Sequence, residues 1–323
     1  MNTQDTVMSD GFPLNVSIRG NGKPILVVGS SVYYPRLFSE QLYTSFQLIF
    51  LDHRGFVEPP RTLEPEDYTL NKVLDDIERA RQALGLEDFI ILGHSGHAFM
   101  ALAYAQTYPE HVRKVILLNT APSNSPVRQQ QSIAFFNEAA SPERKRQFEA
   151  DIALLEEDIR KEPERRFAHM CIRMGAHSFY DYAYDAAWMW DGVFTSMPVL
   201  DHLWGEAFAQ LNLIDSLKEV DIPVFIGLGR YDYLVGPVSL WDAIDGSQAN
   251  VRKVVIEQSG HNPMFEEPEL FHAVLTDWIH ETDRRSGKRG ARGIPAGLLL
   301  YLQVLQAAYS RFIRASKAHH PML

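Results

Sequence analysis

The chain has 323 residues, of which 46% are hydrophobic and 22% are charged, a mixture typical of a globular protein with one large domain and an insertion, or with two smaller domains. Its formal net charge of −10 argues against a nucleic-acid partner, because a protein that binds phosphate backbones needs a basic surface. The single cysteine, Cys171, cannot form an intrachain disulfide, so the core must hold the fold together.

Apolar runs rich in Ile, Leu and Val alternate with segments whose apolar residues recur every three or four positions. The runs are bounded by turn residues, which is typical of strands buried on both faces of a parallel sheet. The predicted strands lie within 24–31, 46–55, 88–95, 112–121, 222–232 and 251–261. The sequence therefore predicts an α/β fold with a mostly parallel central sheet flanked by helices.

The pattern of residues 123–217 is helical, first charged and then aromatic, and no run of β-branched residues interrupts it. We interpret this segment as a helical cap inserted between two parts of the core, 1–122 and 218–284. Such a cap would cover the carboxyl ends of the strands, where open α/β sheets bind their ligands. The alternative is a separate helical domain that takes no part in a site, but the strand pattern resumes directly after the segment.

The last segment, 285–323, reads as a basic linker followed by an apolar helix. The apolar stretch is short for a membrane span and is interrupted by Gln303 and Gln306. It could dock on the body of the protein, pair with a second subunit in an oligomer, rest on a membrane surface, or be an extension unrelated to the fold. Because the N-terminus has neither a basic start nor an apolar run, we expect a cytoplasmic protein.

The segment "GHSGH", residues 93–97, is similar to the G-x-S-x-G turn that presents a nucleophilic serine. Ser95 follows a predicted buried strand and begins a predicted helix, which is the context that this turn requires. Gly93 and Gly96 provide the small neighbours, whereas His97 stands where the last glycine is expected. The alternative is an ordinary helix start with Ser95 as its N-cap.

A serine hydroxyl needs a base to accept its proton, and the base needs an acid to orient it. Asp232 and His261 each follow a predicted strand, and the chain order Ser95, Asp232, His261 is one of the known orders of a catalytic triad. Taken singly, Asp232 could be a turn aspartate and His261 a helix-capping or loop histidine. Together, at one edge of the sheet, they predict a Ser-His-Asp triad.

The oxyanion of such a reaction needs two donors, and we predict the backbone amides of Ser30 and Gly96. A simple glycine turn is the alternative for the loop that contains Ser30. Aromatic residues of the cap and of the same loop predict a mostly apolar pocket for a small-molecule substrate, unless the cap residues form only the cap's own core. The candidate pocket residues are Ser31, Tyr33, Tyr34, His97, Tyr180, Trp188, Trp190 and Trp204.

Two further histidines, His53 and His94, stand at predicted strand ends. We expect His53 at the mouth of the pocket and a structural role for His94. H-E-x-x-H, paired Cys/His spacings and glycine-rich nucleotide loops are absent from the sequence, so we predict no metal and no other cofactor.

Several segments together resemble the α/β-hydrolase superfamily, and within it the proline-iminopeptidase group of serine hydrolases. They are "LDHRG" (51–55), the stretch 75–112 around the serine, "GRYD" (229–232) and "SGH" (259–261), and the resemblance extends over roughly residues 10–284. It implies Ser95 as nucleophile, His261 as base and Asp232 as its orienting acid, under a helical cap.

The chain departs from that group at two places in the pocket. The group usually has H-G-G-P-G at the oxyanion loop and G-G-S-W-G around the serine, where this chain has "VGSSV" (28–32) and "GHSGH". The group's peptidases bind the free amine of the substrate with cap carboxylates, for which Asp201 and Glu206 are the candidates here. A solvated helix face is the alternative for both residues, and we slightly prefer it.

The leading hypothesis is a cofactor-free serine hydrolase that cleaves a small ester, lactone or amide through an acyl-enzyme. One alternative is an aminopeptidase that releases N-terminal proline. Another is a member of the fold that binds a ligand without catalysis, although a pocket that only binds has no need of a complete triad.

Overall fold

A computed structural model describes residues 2–245 and 248–287. The described residues belong to two compact units, one ending at Pro268 and the other beginning at Glu269. Every residue of the predicted triad and pocket lies in the first unit. The first residues of the predicted linker, 285–287, continue a helix, and the rest of the predicted linker and apolar helix, 288–323, lies outside the described residues.

The described strands form one eight-stranded sheet. They are β1 (Asn2–Ser9), β2 (Phe12–Gly20), β3 (Lys23–Gly29), β4 (Phe46–Asp52), β5 (Phe89–His94), β6 (Val112–Leu118), β7 (Val224–Gly229) and β8 (Val251–Ile256). Their order is β1-β2-β4-β3-β5-β6-β7-β8; β2 pairs antiparallel with β1 and β4, and the remaining neighbours are parallel. The predicted fold class is confirmed.

The N-terminal hairpin of β1 and β2 was not among the predicted strands. Its turn consists of Asp10 and Gly11, both with positive φ (50° and 83°), and Asp-Gly is a known signal for a tight hairpin turn. The first five residues of β1 are exposed and mostly polar, so this strand lacks the apolar pattern that identifies the others.

The α-helices within the described ranges connect and cover these strands. They are α1 (Glu40–Ser45), α2 (Leu70–Ala83), α3 (His97–Thr107), α4 (Pro126–Ala139), α5 (Pro142–Ile152), α6 (Leu155–Lys161), α7 (Arg166–Arg173), α8 (Gly175–Ser178), α9 (Met197–His202), α10 (Leu213–Leu217), α11 (Pro263–Glu266) and α12 (Pro268–Gly287). None of these helices is long and apolar enough to cross a membrane.

The central strands are buried on both faces, as their sequences predict. Every residue of β5 is buried, and α3 packs against β5 and β6. The helix α3 is itself largely apolar, with eight of its eleven residues buried. A strand–turn–helix unit of this kind places the residue between β5 and α3 at the carboxyl edge of the sheet.

The segment between β6 and β7 contains α4 to α10 and short 3-10 and π turns. Its single β-contact is an isolated bridge between Ser123 and Asn212, at the two ends of the segment. The absence of strands from this described segment agrees with its sequence pattern. The bridge joins the points where the chain leaves the sheet and returns to it.

A buried ion pair ties the N-terminal hairpin, the loop after β4 and α2 together. Arg54 donates to both carboxylate oxygens of Asp76 at 2.7 Å, and both side chains are fully buried. Asp76 also accepts a hydrogen bond from Ser9 Oγ at 2.7 Å, and Arg54 donates to the carbonyl oxygen of Asp67 at 2.9 Å. The half-exposed carboxylate of Asp10 also lies 4.0 Å from Arg54, so the pair joins three segments of the chain.

We expect Asp76→Ala to lower the free energy of unfolding by about 3–5 kcal/mol, because the buried Arg54 guanidinium loses its two hydrogen bonds to a buried carboxylate and keeps only the half-exposed Asp10, 4.0 Å away, as a counter-charge. Chemical denaturation monitored by circular dichroism would measure the loss. Glu143→Ala, which removes an exposed pair with Arg146, is the control and should cost no more than about 1 kcal/mol. Equal losses in the two variants would contradict the structural role of the buried pair.

Candidate active site

The turn between β5 and α3 holds Ser95 in a left-handed backbone conformation, with φ of +57°. Non-glycine residues adopt this conformation rarely, and they do so where surrounding structure holds them. The N–H of Ser95 donates to the carbonyl oxygen of Leu118 at 2.8 Å, and its carbonyl oxygen accepts from the N–H of Ala98 at 3.1 Å. The predicted strand–turn–helix context of the serine is present.

The glycines beside Ser95 allow close approach, as expected. A Cβ atom on Gly93 would lie 2.2 Å from the carbonyl oxygen of His97 and 2.6 Å from Cα of Ala98. A Cβ atom on Gly96 would lie 2.5 Å from the ring of Trp204. The backbone of His97 and Ala98 therefore abuts Gly93, while the ring of His97 lines the cavity.

His261 and Asp232 lie together at the ends of β8 and β7. His261 Nδ1 is 2.7 Å from Asp232 Oδ2, and both side chains are almost completely buried. The N–H of His261 donates to the carbonyl oxygen of Ser178 at 2.5 Å. Asp232 Oδ1 accepts from the N–H groups of Leu234 and Val235 at 3.1 and 3.3 Å. The carboxylate is thus directed at the imidazole by its own loop.

Asn119 is a site residue that the sequence analysis did not identify. It follows β6 with φ of +43°, and its Nδ2 donates to Asp232 Oδ2 at 2.9 Å and to the carbonyl oxygen of Gly260 at 2.8 Å. The side chain therefore joins Asp232 to the loop that contains His261. A polar residue directly after a buried strand, at the same sheet edge as Ser95, was the available signal.

Glu266, at the end of α11, supports the loop of His261 from the other side. Its Oε1 accepts from the N–H groups of Gly260 and Asn262 at 3.0 and 3.1 Å, and its Oε2 accepts from the N–H of Tyr180 at 2.6 Å. Burial raises the pKa of Glu266 to about 7, although these N–H donors act in the opposite direction. Its sequence context, "NPMFEEP", contains no pattern that distinguishes it from a surface glutamate.

Ser95 and His261 line one cavity of about 260 Å³. No hydrogen bond joins Ser95 Oγ to His261 Nε2 in the part of the chain that the structure describes. Six of the other predicted residues also line this cavity: Ser30, Tyr33, Tyr34, His97, Trp190 and Trp204. Gly96, the second predicted amide donor, directly follows Ser95 as the N-cap of α3.

Three predicted pocket residues do not line this cavity. The N–H of Ser31 donates to Asp52 Oδ1 at 2.5 Å. The side chain of Tyr180 is 42% exposed and that of Trp188 is 43% exposed. The cap segment that contains them contributes Phe179, Ala186 and Trp190 to the cavity instead, because neighbouring residues of this irregular segment face opposite directions.

The two cap carboxylates also lie away from the cavity. Asp201 is paired with Arg166 at 2.6 Å and Glu206 with His202 at 3.1 Å, and their side chains are 61% and 76% exposed. Their acidic groups are therefore solvated and do not face the cavity. The preferred alternative for these residues, a solvated helix face, therefore describes their positions.

One wall of the cavity comes from α7 and the residue after it, which the sequence analysis did not single out. Phe167, Met170, Cys171 and Met174 all line the cavity. Their spacing of three and four residues is that of one apolar helix face, so the sequence contained a signal for this wall. Burial raises the pKa of the Cys171 thiol to about 12, which keeps the thiol neutral.

Residues 20–268 match the family described as alpha/beta hydrolase fold, and the chain belongs to that family. The AB hydrolase superfamily protein YclE of Bacillus subtilis (strain 168) is 59% identical over 273 residues, which are 84% of this chain and 97% of the relative. Proline iminopeptidase of Heyndrickxia coagulans is 24% identical over 280 residues, 81% of this chain and 92% of the relative.

Solved structures share the fold at lower sequence identity. The esterase EaEST from Exiguobacterium antarcticum has a TM-score of 0.61 and 21% identity, covering 87% of this chain and all of its own. The predicted superfamily is confirmed, including its likeness to proline iminopeptidases, and family membership supports hydrolase activity.

The raised pKa of Glu266 predicts a stability that depends on pH. An acid whose pKa is higher in the folded state stabilises the fold when it is protonated, and this contribution is lost as the pH rises through about 7. Between about pH 5 and about pH 8, we expect the wild type to lose roughly 1–3 kcal/mol of unfolding free energy relative to Glu266→Gln.

Urea unfolding of both proteins across this range would measure the difference. Glu110→Gln, a change at an exposed side chain, is the control and should follow the wild type at every pH. Parallel pH profiles of the wild type and Glu266→Gln would contradict the expectation.

Proposed function

We propose that this protein is a serine hydrolase that cleaves esters with a neutral, apolar acyl group through an acyl-enzyme intermediate. The observation that carries the proposal is the shared cavity: Ser95, on its strained turn, faces the same space as His261, whose Nδ1 is held 2.7 Å from Asp232. These groups correspond in type and chain order to a nucleophile, a base and its orienting acid.

The proposed mechanism follows from the tautomer of His261. Asp232 accepts the Nδ1 proton of the imidazole, which leaves Nε2 unprotonated and able to take the proton of Ser95 Oγ. The serine oxygen attacks the acyl carbon, and His261 then protonates the departing alcohol. A water molecule, activated by the same base, attacks the acyl-enzyme and releases the acid and Ser95.

The amides of Ser30 and Gly96 would stabilise the oxyanion that forms at each step. Ser30 follows β3 on the cavity wall, and Gly96 follows the nucleophile at the start of α3. The N-terminal end of an eleven-residue helix adds a partial positive charge at that position. Loss of one such donor typically costs about 3–4 kcal/mol of barrier height.

The chemistry of the cavity supports a neutral and apolar substrate group. Aromatic, methionine and small side chains dominate the lining, and it includes no Asp, Glu, Lys or Arg among the described residues. Burial lowers the pKa of both His94 and His97 well below the ordinary range, so these rings remain neutral. A charged group would lose its hydration in this space without gaining a counter-charge.

The same lining argues against the aminopeptidase alternative. A substrate with a free N-terminal amine carries a positive charge, which needs a carboxylate partner when it is desolvated. Asp201 and Glu206 are exposed and paired elsewhere. Similarity to a proline iminopeptidase at 24% identity keeps this alternative as an outcome to be tested.

We expect Ser95→Ala and His261→Ala to lower ester turnover by several orders of magnitude, up to about 10⁶-fold, because the first removes the proposed nucleophile and the second the proposed base. Asp232→Asn should cost less, about 10⁴-fold, since the serine and the imidazole remain. Hydrolysis of p-nitrophenyl butyrate, followed by absorbance, measures all three losses. Wild-type turnover in Ser95→Ala would overturn the proposed mechanism.

The acyl preference can be tested with substrates that share one leaving group. We expect kcat/KM for p-nitrophenyl butyrate to exceed that for mono-p-nitrophenyl succinate by at least about 100-fold, because the second acyl group carries a carboxylate into the cavity. Proline p-nitroanilide should be inert, with Ser95→Ala as the background control. Serine-dependent turnover of the anilide above that of the butyrate would establish the peptidase alternative instead.

A further inference from the structure

Three buried histidines and one tyrosine form a continuous hydrogen-bonded chain beside the nucleophile. His53 Nε2 lies 3.3 Å from His97 Nε2, and His97 Nδ1 lies 2.8 Å from the hydroxyl of Tyr34. The same hydroxyl lies 3.3 Å from His94 Nδ1, and His94 Nε2 lies 2.7 Å from the carbonyl oxygen of His261. None of the four side chains is more than 5% exposed.

The partners of His53 and His94, at the two ends of this hydrogen-bonded chain, determine the direction in which its hydrogen bonds run. His53 Nδ1 accepts a hydrogen bond from the N–H of Gly55 at 3.0 Å, so a neutral His53 carries its proton on Nε2. The carbonyl oxygen of His261 can only accept, so His94 Nε2 carries the proton of that ring. Burial lowers the pKa of His53 to about 3 and lowers those of the other two rings, which keeps all three neutral.

Only one arrangement of the histidine ring protons satisfies the hydrogen bonds at both ends of this chain. His53 Nε2–H donates to His97 Nε2, and this leaves the proton of His97 on Nδ1, where it donates to the oxygen of Tyr34. The Tyr34 hydroxyl then donates to His94 Nδ1, which has no proton of its own, and the carbonyl oxygen of His94 lies 3.4 Å from the same hydroxyl. Each group in the chain donates once and accepts once, and His97 must be the Nδ1–H tautomer.

The tyrosine connects this chain to the loop of the proposed oxyanion donor. The N–H of Tyr34 donates to the carbonyl oxygen of Ser30 at 3.3 Å, and Ser30 Oγ accepts from the N–H of Tyr33 at 3.0 Å. A Cβ atom on Gly29 would lie 2.2 Å from the Tyr34 ring and 3.1 Å from the His97 ring. Both rings therefore pack directly against the backbone that precedes Ser30.

His94 and His97 connect this hydrogen-bonded chain to the proposed nucleophile, Ser95, and to the proposed base, His261. His94 and His97 flank the turn that contains Ser95, and His94 donates to the backbone of His261 itself. We propose that the chain His53–His97–Tyr34–His94 is a positioning device that holds the Ser30 loop, the Ser95 turn and the His261 loop in one fixed arrangement. This inference rests on the proposed function for its catalytic consequence, whereas the proton arrangement is independent of it.

The first test is spectroscopic and uses the full-length protein labelled with ¹⁵N-histidine. Among the 12 histidines, His97 should give the ¹⁵N shifts of the Nδ1–H tautomer, and His53 and His94 those of the Nε2–H tautomer. The loss of one signal in each of His53→Gln, His94→Gln and His97→Gln assigns the rings. An Nε2–H tautomer for His97 in the wild type would overturn the proposed chain.

The second test separates positioning from packing. Tyr34→Phe keeps the ring against Gly29 but removes all three hydrogen-bond contacts of the hydroxyl, and kcat should fall about 10- to 100-fold, with KM changed less than about threefold. Tyr104→Phe is the matched control, since Tyr104 is also buried but donates to Glu78, and its kcat should equal that of the wild type. Equal kcat values for both variants would contradict the proposal.

Rescue by a polar side chain provides the last comparison. His97→Asn retains an amide donor near the position of Nδ1, whereas His97→Leu fills similar space without a donor, so the asparagine variant should keep about tenfold more kcat. Equal losses would indicate that the ring acts only by filling space and would overturn the positioning role. If the wild type lacks serine-dependent turnover, the proposed function fails, while the tautomer of His97 still decides whether the chain exists.

Discussion

The strained backbone of Ser95 is the constraint on which the rest of the site depends. A left-handed conformation at a serine persists only because α3 and β5 approach closely, with Gly93 against Ala98 and the carbonyl oxygen of Leu118 holding the serine N–H. The same close packing of α3 and β5 points the N-terminal end of α3 at the carboxyl edge of the sheet. The proposed nucleophile, the helix dipole and the proposed Gly96 donor therefore share one origin in the packing of a single strand–turn–helix unit.

The loop of His261 is held from several directions at once. Asp232 and Asn119 reach it from the ends of neighbouring strands, and Glu266 binds the N–H groups on either side of the histidine. Ser178 and Tyr180, which belong to the segment between β6 and β7, also bind the His261 N–H and the Glu266 carboxylate. The segment that shapes the cavity thus also holds the His261 loop. Changes in this segment can therefore alter the shape of the cavity and, in the proposed mechanism, the geometry of proton transfer.

A second constraint is His97, which stands two residues after the proposed nucleophile, where the G-x-S-x-G turn has glycine. His97 fills the space between Gly29 and Trp204 and makes hydrogen bonds to Tyr34 and His53. Burial keeps this ring neutral, so the cavity gains shape and hydrogen-bonding order without gaining charge. This combination, together with the apolar face of α7, distinguishes the pocket from one designed to bind an ammonium group.

The sequence by itself determined the parallel strands and the order of Ser95, Asp232 and His261, because buried strands and the turns that follow them are encoded in short, local patterns. It did not identify β1, whose exposed polar residues become a strand only by pairing with β2. It also did not identify the apolar face of α7 as a wall of the pocket. Only the tertiary structure decided which helix face borders the cavity, because the orientation of each helix between β6 and β7 depends on its contacts with distant segments as well as on its own apolar pattern.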